Sequence, residues 1–432
     1  MANIRIDTSV KKGKIKPMHA VGQPPLSGQA RELSQHFHYL TEAGIPYSRL
    51  HDVGGPFGGN KYVDIPNIFR DFDADENDPR NYDFAFTDAL ITALTKANVE
   101  PYYRLGVTIE NASEIKSYRI DPPKDFYKWA RICEHIIAHY IDGWADGFNY
   151  NITYWEIWNE PDDGMRVSQM WNGTKEQYYE LYEVTSKHLK AVFGNRIKVG
   201  GYAALDLQKM VQPEKYKDDV FKTYFEEFFY GFVDYVKKTN SPLDFFSWHS
   251  YYSAVKTIPL CHMIREYLDK NGFVNTESHI NEWNPVWRTQ RATAHQGAEI
   301  TAMLLGMQNA PLDMLMIYDA KISGGMYMAL FDPYYYKPCH GYYSLAAFNF
   351  LYELENQVEA TCDTEGVFAV AASDGKKNAL LISNVSGENT PLNIEGIDLT
   401  NAKYHVIDQQ RLLSWSPPVK TLENYMVVLI EY

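Results

Sequence analysis

The sequence predicts an α/β fold, a (β/α)8 TIM barrel followed by a small C-terminal antiparallel β-sandwich. Eight short apolar or aromatic runs alternate with longer amphipathic stretches over roughly the first 350 residues, a pattern typical of a barrel. After Leu354 the pattern changes to short strand-like runs separated by turn residues. We therefore expect a barrel over residues 14–354 and a β-domain over residues 355–432, with residues 1–13 adding a strand to the β-domain.

The eight runs follow one another in the order that a barrel requires. Several are apolar almost throughout, as expected of parallel strands buried on both faces. They are Ala20-Val21, Tyr47 to Leu50, Pro101 to Leu105, Tyr154 to Trp158, Ile197 to Val199, Phe245 to His249, His279 to Asn281 and Met314 to Tyr318. A doubly wound sheet is the alternative, but no GxGxxG stretch follows any of these runs.

Two of the intervening stretches show clear helical periodicity, and four later runs predict the strands of the β-domain. Residues 126–140 carry Trp129, Ile132, Cys133, Ile136 and Ile137 on one face, and residues 178–192 form a second such stretch. The later runs are Val367 to Ala372, Ala379 to Ile382, Tyr404 to Ile407 and Met426 to Tyr432.

Composition excludes several classes of function. The net charge of −14 and the lack of a long basic run argue against binding to nucleic acid or to an anionic membrane. The four cysteines form no CxxC pair and there is no HExxH, so we expect neither a metal site nor a cofactor. No signal peptide or membrane-spanning stretch is visible, which predicts a cytoplasmic protein unless a leader was removed. The 33 Tyr and 9 Trp offer apolar faces with polar edges, which suit sugar rings.

The strongest local signal is the stretch from Tyr154 to Asp162, in which Asn159-Glu160-Pro161 ends the fourth run. Residues at the carboxyl end of a barrel strand line the active site. The alternative is that Glu160 simply begins the following helix, where a negative charge is favourable. A second stretch from His279 to Asn284 has the same design, with Glu282 at the end of the seventh run.

Strands four and seven face each other across the mouth of a barrel, so Glu160 and Glu282 are expected to meet there. Glycoside hydrolysis requires such a pair of carboxyl groups. One of them protonates the leaving oxygen, and the other attacks the anomeric carbon or activates water.

These motifs carry a resemblance to a known family. Trp158 to Pro161 on strand four and Glu282 to Asn284 on strand seven resemble the retaining glycoside hydrolases of clan A. Together with Arg49 to Asp52 and Asp244 to Tyr251, they make the chain similar to glycoside hydrolase family 39, which holds β-xylosidases and, more distantly, α-L-iduronidases. The resemblance implies a (β/α)8 barrel joined to a small β-sandwich.

The resemblance also implies roles for individual residues. Glu160 matches the acid/base and Glu282 the nucleophile, while Asn159 matches the residue that bonds the sugar 2-hydroxyl. Arg49 matches the arginine that supports the nucleophile, and its charge should keep Glu282 ionised.

Four further positions match the family near the nucleophile and in the loop after strand two. They are His51, Asp52, His249 and Tyr251.

Three residues are candidates from their position alone. Trp283 is expected to form a wall of the sugar site. Asp319 follows strand eight, where it either contacts substrate or caps a loop. Arg104, at the end of strand three, is expected to form a salt bridge within the barrel.

The sequence therefore predicts a retaining, exo-acting glycoside hydrolase that binds an oligosaccharide or glycoside, with β-xylosidase activity as the default. An α-L-arabinosidase, a β-galactosidase and an endo-acting clan A glycanase remain open. A carbohydrate-binding barrel without catalysis would be expected to lack one of the two carboxylates, and a metal-dependent hydrolase would need a ligand motif. The sequence does not indicate the sugar, its linkage or the oligomeric state.

Overall fold

The computed structural model describes residues 1–27, 31–53, 63–108, 120–165, 170–284, 290–323, 327 and 330–432. The chain begins with a long strand, β1 (Ala2–Lys14), and then forms a closed barrel of eight strands, each parallel to its neighbours. The barrel strands are β2 (Ala20–Gly22), β3 (Tyr47–Leu50), β4 (Glu100–Leu105), β5 (Tyr154–Ile157), β6 (Lys198–Ala204), β7 (Phe245–Ser250), β8 (Glu277–Trp283) and β9 (Met314–Tyr318). All eight predicted runs overlap these strands, so the predicted fold class is confirmed.

Helices connect successive barrel strands, and the last helix follows β9. They are α1 (His38–Glu42), α2 (Ile65–Ile68), α3 (Ala85–Lys96), α4 (Phe126–Ile141), α5 (Lys175–Phe193), α6 (Val220–Thr239), α7 (Ala254–Lys270), α8 (Ala294–Asn309) and α9 (His340–Glu353). Both helices predicted from periodicity are present, and α5 begins at a capping box formed by Thr174 and Gln177. Within the described residues, no helix combines the length and the apolar character needed to cross a membrane.

The C-terminal strands and β1 form one curled sheet of nine strands. The C-terminal strands are β10 (Asn356–Cys362), β11 (Val367–Ser373), β12 (Asn378–Asn384), β13 (Thr390–Glu395), β14 (Lys403–Ile407), β15 (Ser414–Ser416), β16 (Thr421–Leu422) and β17 (Val427–Glu431). Their order is β15-β14-β17-β12-β11-β10-β1-β13-β16. The strand β1 pairs antiparallel with β10 and parallel with β13.

The two faces of this sheet bury different cores, because side chains alternate along a strand. In β12, Leu380 and Ile382 join the sheet's own apolar cluster. Ala379 and Leu381 instead pack into the main core with the barrel and its helices. The Ser383 hydroxyl also donates to the Ala298 carbonyl of α8 at 2.7 Å. The sheet therefore packs directly on the barrel.

The interior of the barrel is apolar at its amino-terminal end and polar above it. An apolar layer contains Ala20, Tyr102, Tyr154, Phe245, Met314 and Met316. Two positions further along their strands, Glu156 and Ser247 also face inward, since both are hydrogen-bonded inside the barrel. Arg49 and Asn281 meet them there, and we call Arg49, Glu156, Ser247 and Asn281 the polar layer. The candidate site lies on this layer.

Candidate active site

Strands four and seven of the barrel bring the two predicted glutamates together at the mouth. Glu160 follows β5 and Glu282 lies near the end of β8. His249 of β7 lies between them, with Nδ1 2.6 Å from Glu160 Oε1 and Nε2 3.7 Å from Glu282 Oε2. One carboxylate oxygen of each glutamate and one ring nitrogen of His249 all lie within 4.8 Å of one another. The two carboxyl groups therefore lie close together.

One guanidinium links this pair to the polar layer. Arg49 Nη1 donates to Glu282 Oε2 at 3.2 Å, and Nη2 donates to Asn159 Oδ1 at 2.6 Å. The same side chain pairs with Glu156 through Nε at 2.8 Å and Nη2 at 2.7 Å. Arg49 thus orients Glu282 and Asn159 relative to each other. Asn159 Nδ2 has no hydrogen-bond partner among the described residues and remains available to a ligand.

Glu156 is the buried counter-charge of Arg49. It is fully buried and accepts hydrogen bonds from the Ser247 hydroxyl, at 2.6 Å, and from Asn281 Nδ2. Sequence reasoning assigned no role to Glu156, Ser247 or Asn281. Their inward positions on strands four, six and seven were the available signal.

The surroundings of Glu282 act on its pKa in opposite directions. Burial and the neighbouring charge of Glu160 raise this pKa, whereas His249, Arg49 and a hydrogen bond donated by Tyr251 lower it, and the net direction is upward. The expected influence of Arg49 is present, but burial outweighs it. Glu160 is more exposed, at 15 % of its side chain against 9 % for Glu282.

His249 is neutral at neutral pH. Burial lowers its pKa to about 4, although the nearby glutamates oppose this shift. A neutral imidazole can accept a hydrogen bond from a protonated carboxyl group or donate one to an ionised carboxylate. His249 can therefore remain bonded to Glu160 in both of its protonation states.

His51 and Asp52 lie on the other side of the mouth, after β3. The Arg104 Nε donates to His51 Nδ1 at 3.2 Å, and Tyr318 OH donates to Asp52 Oδ2 at 2.9 Å. As expected, Arg104 forms a buried salt bridge, with Nη2 2.6 Å from Asp64 Oδ1. Burial and the charge of Arg104 hold the pKa of His51 well below its usual value.

Trp283 and Asp319 occupy different environments. Trp283 has no exposed surface and packs in the main core, so it offers no ring face to a sugar. Since it follows Glu282 directly, strand alternation turns it away from the mouth. Asp319 is buried after β9, with its Oδ1 unpartnered among the described residues. Burial raises the pKa of Asp319 to about 7.

The backbone turns sharply where the strands meet the site. Gln23, Asp52, Trp158 and Glu160 adopt positive φ angles of 58°, 52°, 74° and 45°. Non-glycine residues in this region are strained by about 1–3 kcal/mol each, and such strain clusters at functional sites. The sequence carries no signal for it, because none of these residues is glycine.

Glu160, His249 and Glu282 are also the one set of three or more potential metal ligands found in the described part of the chain. The atoms that would bind a metal already have protein partners. His249 Nδ1 is hydrogen-bonded to Glu160, and Glu282 accepts hydrogen bonds from Arg49 and Tyr251. A cation there would have to compete with the Arg49 guanidinium. The arrangement suits proton transfer and nucleophilic attack better than metal binding.

Comparison with known proteins agrees with this geometry. The profile described as "Glycosyl hydrolases family 39" matches residues 3–312. A β-xylosidase of Geobacillus stearothermophilus is 25 % identical over 198 residues, which cover 44 % of this chain and 34 % of that protein. A β-xylosidase of Caldicellulosiruptor saccharolyticus is 26 % identical over 218 residues, which cover 49 % of this chain and 37 % of that protein. The matched segment thus spans about a third of each relative.

Solved structures show the same fold over the whole chain. A glucosidase from Croceicoccus marinus superposes with a TM-score of 0.77 at 19 % identity, covering 100 % of this chain and 98 % of the other. A monomeric β-xylosidase from Caulobacter crescentus gives a TM-score of 0.68 at 16 % identity, covering 99 % of both chains. At these identities the likeness concerns the fold alone. The profile match extends over well over half of the chain and includes both glutamates, and on this ground the chain belongs to glycosyl hydrolases family 39.

Proposed function

We propose that the chain is a retaining, exo-acting glycoside hydrolase with β-xylosidase-like specificity, in which Glu282 is the nucleophile and Glu160 the acid/base. The observation that carries the proposal is the approach of the two carboxyl groups, whose oxygens lie within 4.8 Å of each other. Retaining enzymes hold their carboxyl groups about 5–5.5 Å apart, whereas inverting enzymes need about 6.5–9.5 Å to admit a water molecule.

The environments of the two glutamates favour this division of roles. Glu282 accepts hydrogen bonds from Arg49 and Tyr251, which stabilise its ionised form and fix its orientation for attack. Glu160 is more exposed than Glu282, which suits a group that meets both the leaving group and the attacking water. Its contact with neutral His249 serves it both as an acid and as a base.

The reaction then proceeds in two displacements. Glu282 attacks the anomeric carbon while Glu160 gives its proton to the leaving oxygen, and a covalent glycosyl-enzyme forms. Glu160 next takes a proton from water, and the resulting hydroxide equivalent displaces Glu282 from the anomeric carbon. Asn159 Nδ2, oriented by the bond from Arg49 to Oδ1, can donate to the sugar 2-hydroxyl in both transition states.

The β-xylosidase assignment rests on two relatives of that name, each matched over about a third of its length. A glucosidase is the second candidate, since a structure of that title superposes with a TM-score of 0.77. Arabinosides and galactosides remain further candidate substrates. A panel of 4-nitrophenyl glycosides of β-D-xylose, β-D-glucose, β-D-galactose, α-L-arabinofuranose and α-L-arabinopyranose discriminates among these activities.

Azide rescue tests the mechanism with the substrate that this panel identifies. We expect Glu282→Gly with azide to yield a glycosyl azide of inverted configuration, because azide replaces the nucleophile. Glu160→Ala with azide should yield the azide of retained configuration, because azide attacks the glycosyl-enzyme. The wild type should first release the sugar with its anomeric configuration retained, as followed by NMR. Release of the opposite anomer, or full activity of either variant, would contradict the proposal.

A further inference from the structure

A cavity of about 460 Å³ opens at the amino-terminal end of the barrel, and no step of the proposed reaction uses it. Its walls come from the beginnings of β3 and β4, the end of α3, the segment before β5 and helix α9. The volume lies within the range of about 300–1,000 Å³ that is typical of small-molecule sites. We call it the lower cavity, and its aromatic and polar walls include Tyr47, Asn98, Glu100, Tyr150, Asn151 and Tyr352.

The lower cavity is separate from the catalytic centre. The barrel strands begin at the end where the cavity lies, whereas Glu160 and Glu282 lie at the end where the strands finish. The apolar layer, to which Tyr102 and Tyr154 belong, and the polar layer above it lie between the two ends. The Tyr47 ring packs against this apolar layer, with its centroid 5.7 Å from that of Tyr154. A small ligand in the lower cavity therefore does not reach the two glutamates.

Several polar groups of the lower cavity are available to a ligand. The hydroxyls of Tyr47 and Tyr352 make no hydrogen bond to another described residue, although both rings contact neighbouring aromatic side chains. Burial raises the pKa of both hydroxyls, so they stay protonated and can donate. Glu100 Oε1 accepts from the Thr153 N–H at 2.7 Å, and a carboxylate has room for further donors.

The charges around the lower cavity favour a neutral ligand. Glu100 is the one carboxylate in its described walls, which include no lysine or arginine, so an anion would find no counter-charge there. Burial raises the pKa of Glu100, whereas its hydrogen bonds with Thr153 and the charge of Lys198 lower it, and the net direction is upward. The positive charge of Lys198, close enough to act on Glu100, also makes the cavity less suited to a cation.

A sugar ring meets these requirements. Its hydroxyls can donate to Glu100 and accept from the tyrosine hydroxyls, and the amides of Asn98 and Asn151 can do both. Its C–H faces are apolar and can pack on the ring of Tyr150, which also borders the cavity. A purely apolar ligand would leave the polar groups of the cavity without partners, at a cost in free energy.

We propose that the lower cavity is a second sugar-binding site, which takes one neutral pyranose, either free or as a unit of a glycan chain. The inference goes beyond the proposed function and does not depend on it, because binding at this end of the barrel requires no catalysis. On an enzyme that acts on glycans, such a site keeps the substrate nearby while the catalytic centre stays free.

Crystals soaked with sugars locate the site directly. The probes are D-xylose and D-glucose as free sugars and xylotetraose as a chain, which is offered to Glu282→Gln so that it is not consumed. We expect a pyranose in the lower cavity with a hydroxyl within hydrogen-bond distance of Glu100. Free sugars alone there identify a monosaccharide site, and xylotetraose there identifies a site for a glycan chain. A cavity that holds only water with all three probes contradicts the inference.

Isothermal titration calorimetry with the free sugars tests binding in solution. Ala97→Trp places a large ring at the wall of the cavity without removing a polar group, and it should leave one sugar-binding site fewer than the wild type has. Glu100→Gln keeps an acceptor for the Thr153 N–H but loses the charge, so it should weaken binding at this site about 5- to 10-fold. Glu299→Gln on α8 and Ala191→Trp on α5 are the matched controls and should bind as the wild type does. Glu299 is half-buried with a pKa raised by burial, as Glu100 is, and Ala191 is exposed.

Melting curves and turnover separate the possible results. The four variants should unfold in one transition and hydrolyse the glycoside that the panel identifies within about 2-fold of the wild-type rate, as expected of a distant site. If Ala97→Trp does not fold, Glu100→Gln and the soaked crystals decide. Folded Ala97→Trp and Glu100→Gln variants that bind sugar as the wild type does contradict this inference. A wild type inactive on every glycoside contradicts the proposed function alone, since the binding measurements need no turnover.

Discussion

Replacement of Arg49 by lysine tests whether one planar guanidinium fixes the geometry of the site. Arg49 contacts Glu156, Glu282 and Asn159 at the same time, at distances between 2.6 and 3.2 Å. Lysine keeps the charge but carries it on a compact ammonium, without the fork that arginine presents. We expect the Arg49→Lys variant to retain the attraction to Glu156 while losing the bonds to Glu282 and Asn159.

The size of the effect follows from those lost bonds. A hydrogen bond to a charged group is worth about 1.5–3 kcal/mol, and 1.4 kcal/mol is a factor of ten, so the Glu282 bond alone accounts for about 10- to 150-fold in kcat/KM. Because the ammonium is expected to stay with Glu156, its charge lies further from Glu282, and the Coulombic influence that lowers the pKa of Glu282 weakens. The acidic limb of the pH profile of kcat/KM, which reports the free enzyme, should therefore move to higher pH.

Arg104→Lys is the matched control, measured by the same pH profiles and by thermal unfolding. Arg104 is equally buried on the neighbouring strand, but it pairs with Asp64 and His51. Both variants should lower the melting temperature, since each disturbs a buried ion pair. Only Arg49→Lys should shift the acidic limb. If both variants shift it equally, or if Arg49→Lys stays within about 3-fold of Arg104→Lys in kcat/KM, the positioning role assigned to Arg49 is wrong.

Four further predictions concern a hydrogen bond to Glu282, the need for a metal ion, the packing of β1 and the charge of Glu277. Tyr251→Phe removes a donor to Glu282 and should lower kcat/KM about 10-fold while moving the acidic limb upward; an unchanged pH profile would contradict that contact. Prolonged treatment with a chelator should leave turnover unchanged, whereas loss of activity restored by a divalent cation would favour a metal-dependent reaction. Ile4→Ala, which empties a fully buried position of β1, should cost about 2–5 kcal/mol in urea unfolding, against less than about 0.5 kcal/mol for the exposed Val10→Ala on the same strand. Burial acts to raise the pKa of Glu277, but His279 and Lys198 lower it to about 2. The carboxylate therefore stabilises the fold fully above about pH 4.5, and this stabilisation is lost as the pH falls toward 2. The difference in unfolding free energy between wild type and Glu277→Gln should shrink over that interval.

The apolar part of the fold could be predicted from the sequence because parallel strands buried on both faces read as continuous runs. The same reasoning predicted that Glu160 and Glu282 meet at the mouth, because each follows an asparagine at the end of such a run, and the structure brings the two together there. It failed for Trp283, where an aromatic residue beside a glutamate suggested a sugar platform although strand alternation buries it in the core. Strand β13 was also missed, because it has few apolar residues and pairs with β1 across most of the chain length.

The residues that orient the glutamates were harder to predict than the glutamates themselves. Ser247 and Asn281 are separated from Glu156 by 91 and 125 positions, and only closure of the barrel brings them together. Gln23 has no motif around it, and only the structure shows that it is linked to Asp52 by a hydrogen-bond chain through Tyr318. Such contacts depend on the register between strands, which one sequence does not reveal.

The polar layer explains why this barrel departs from the usual interior of branched apolar side chains. In the proposed mechanism, the nucleophile Glu282 and the Asn159 amide meet one sugar at neighbouring carbons, which requires a rigid connection between them. Arg49 supplies it because its N–H groups lie in one plane and reach both Glu282 and Asn159. A buried guanidinium requires a buried counter-charge, and Glu156 provides it for Arg49. Ser247 and Asn281 in turn donate hydrogen bonds to the second carboxylate oxygen of Glu156. The geometry of the site is thus set from inside the barrel.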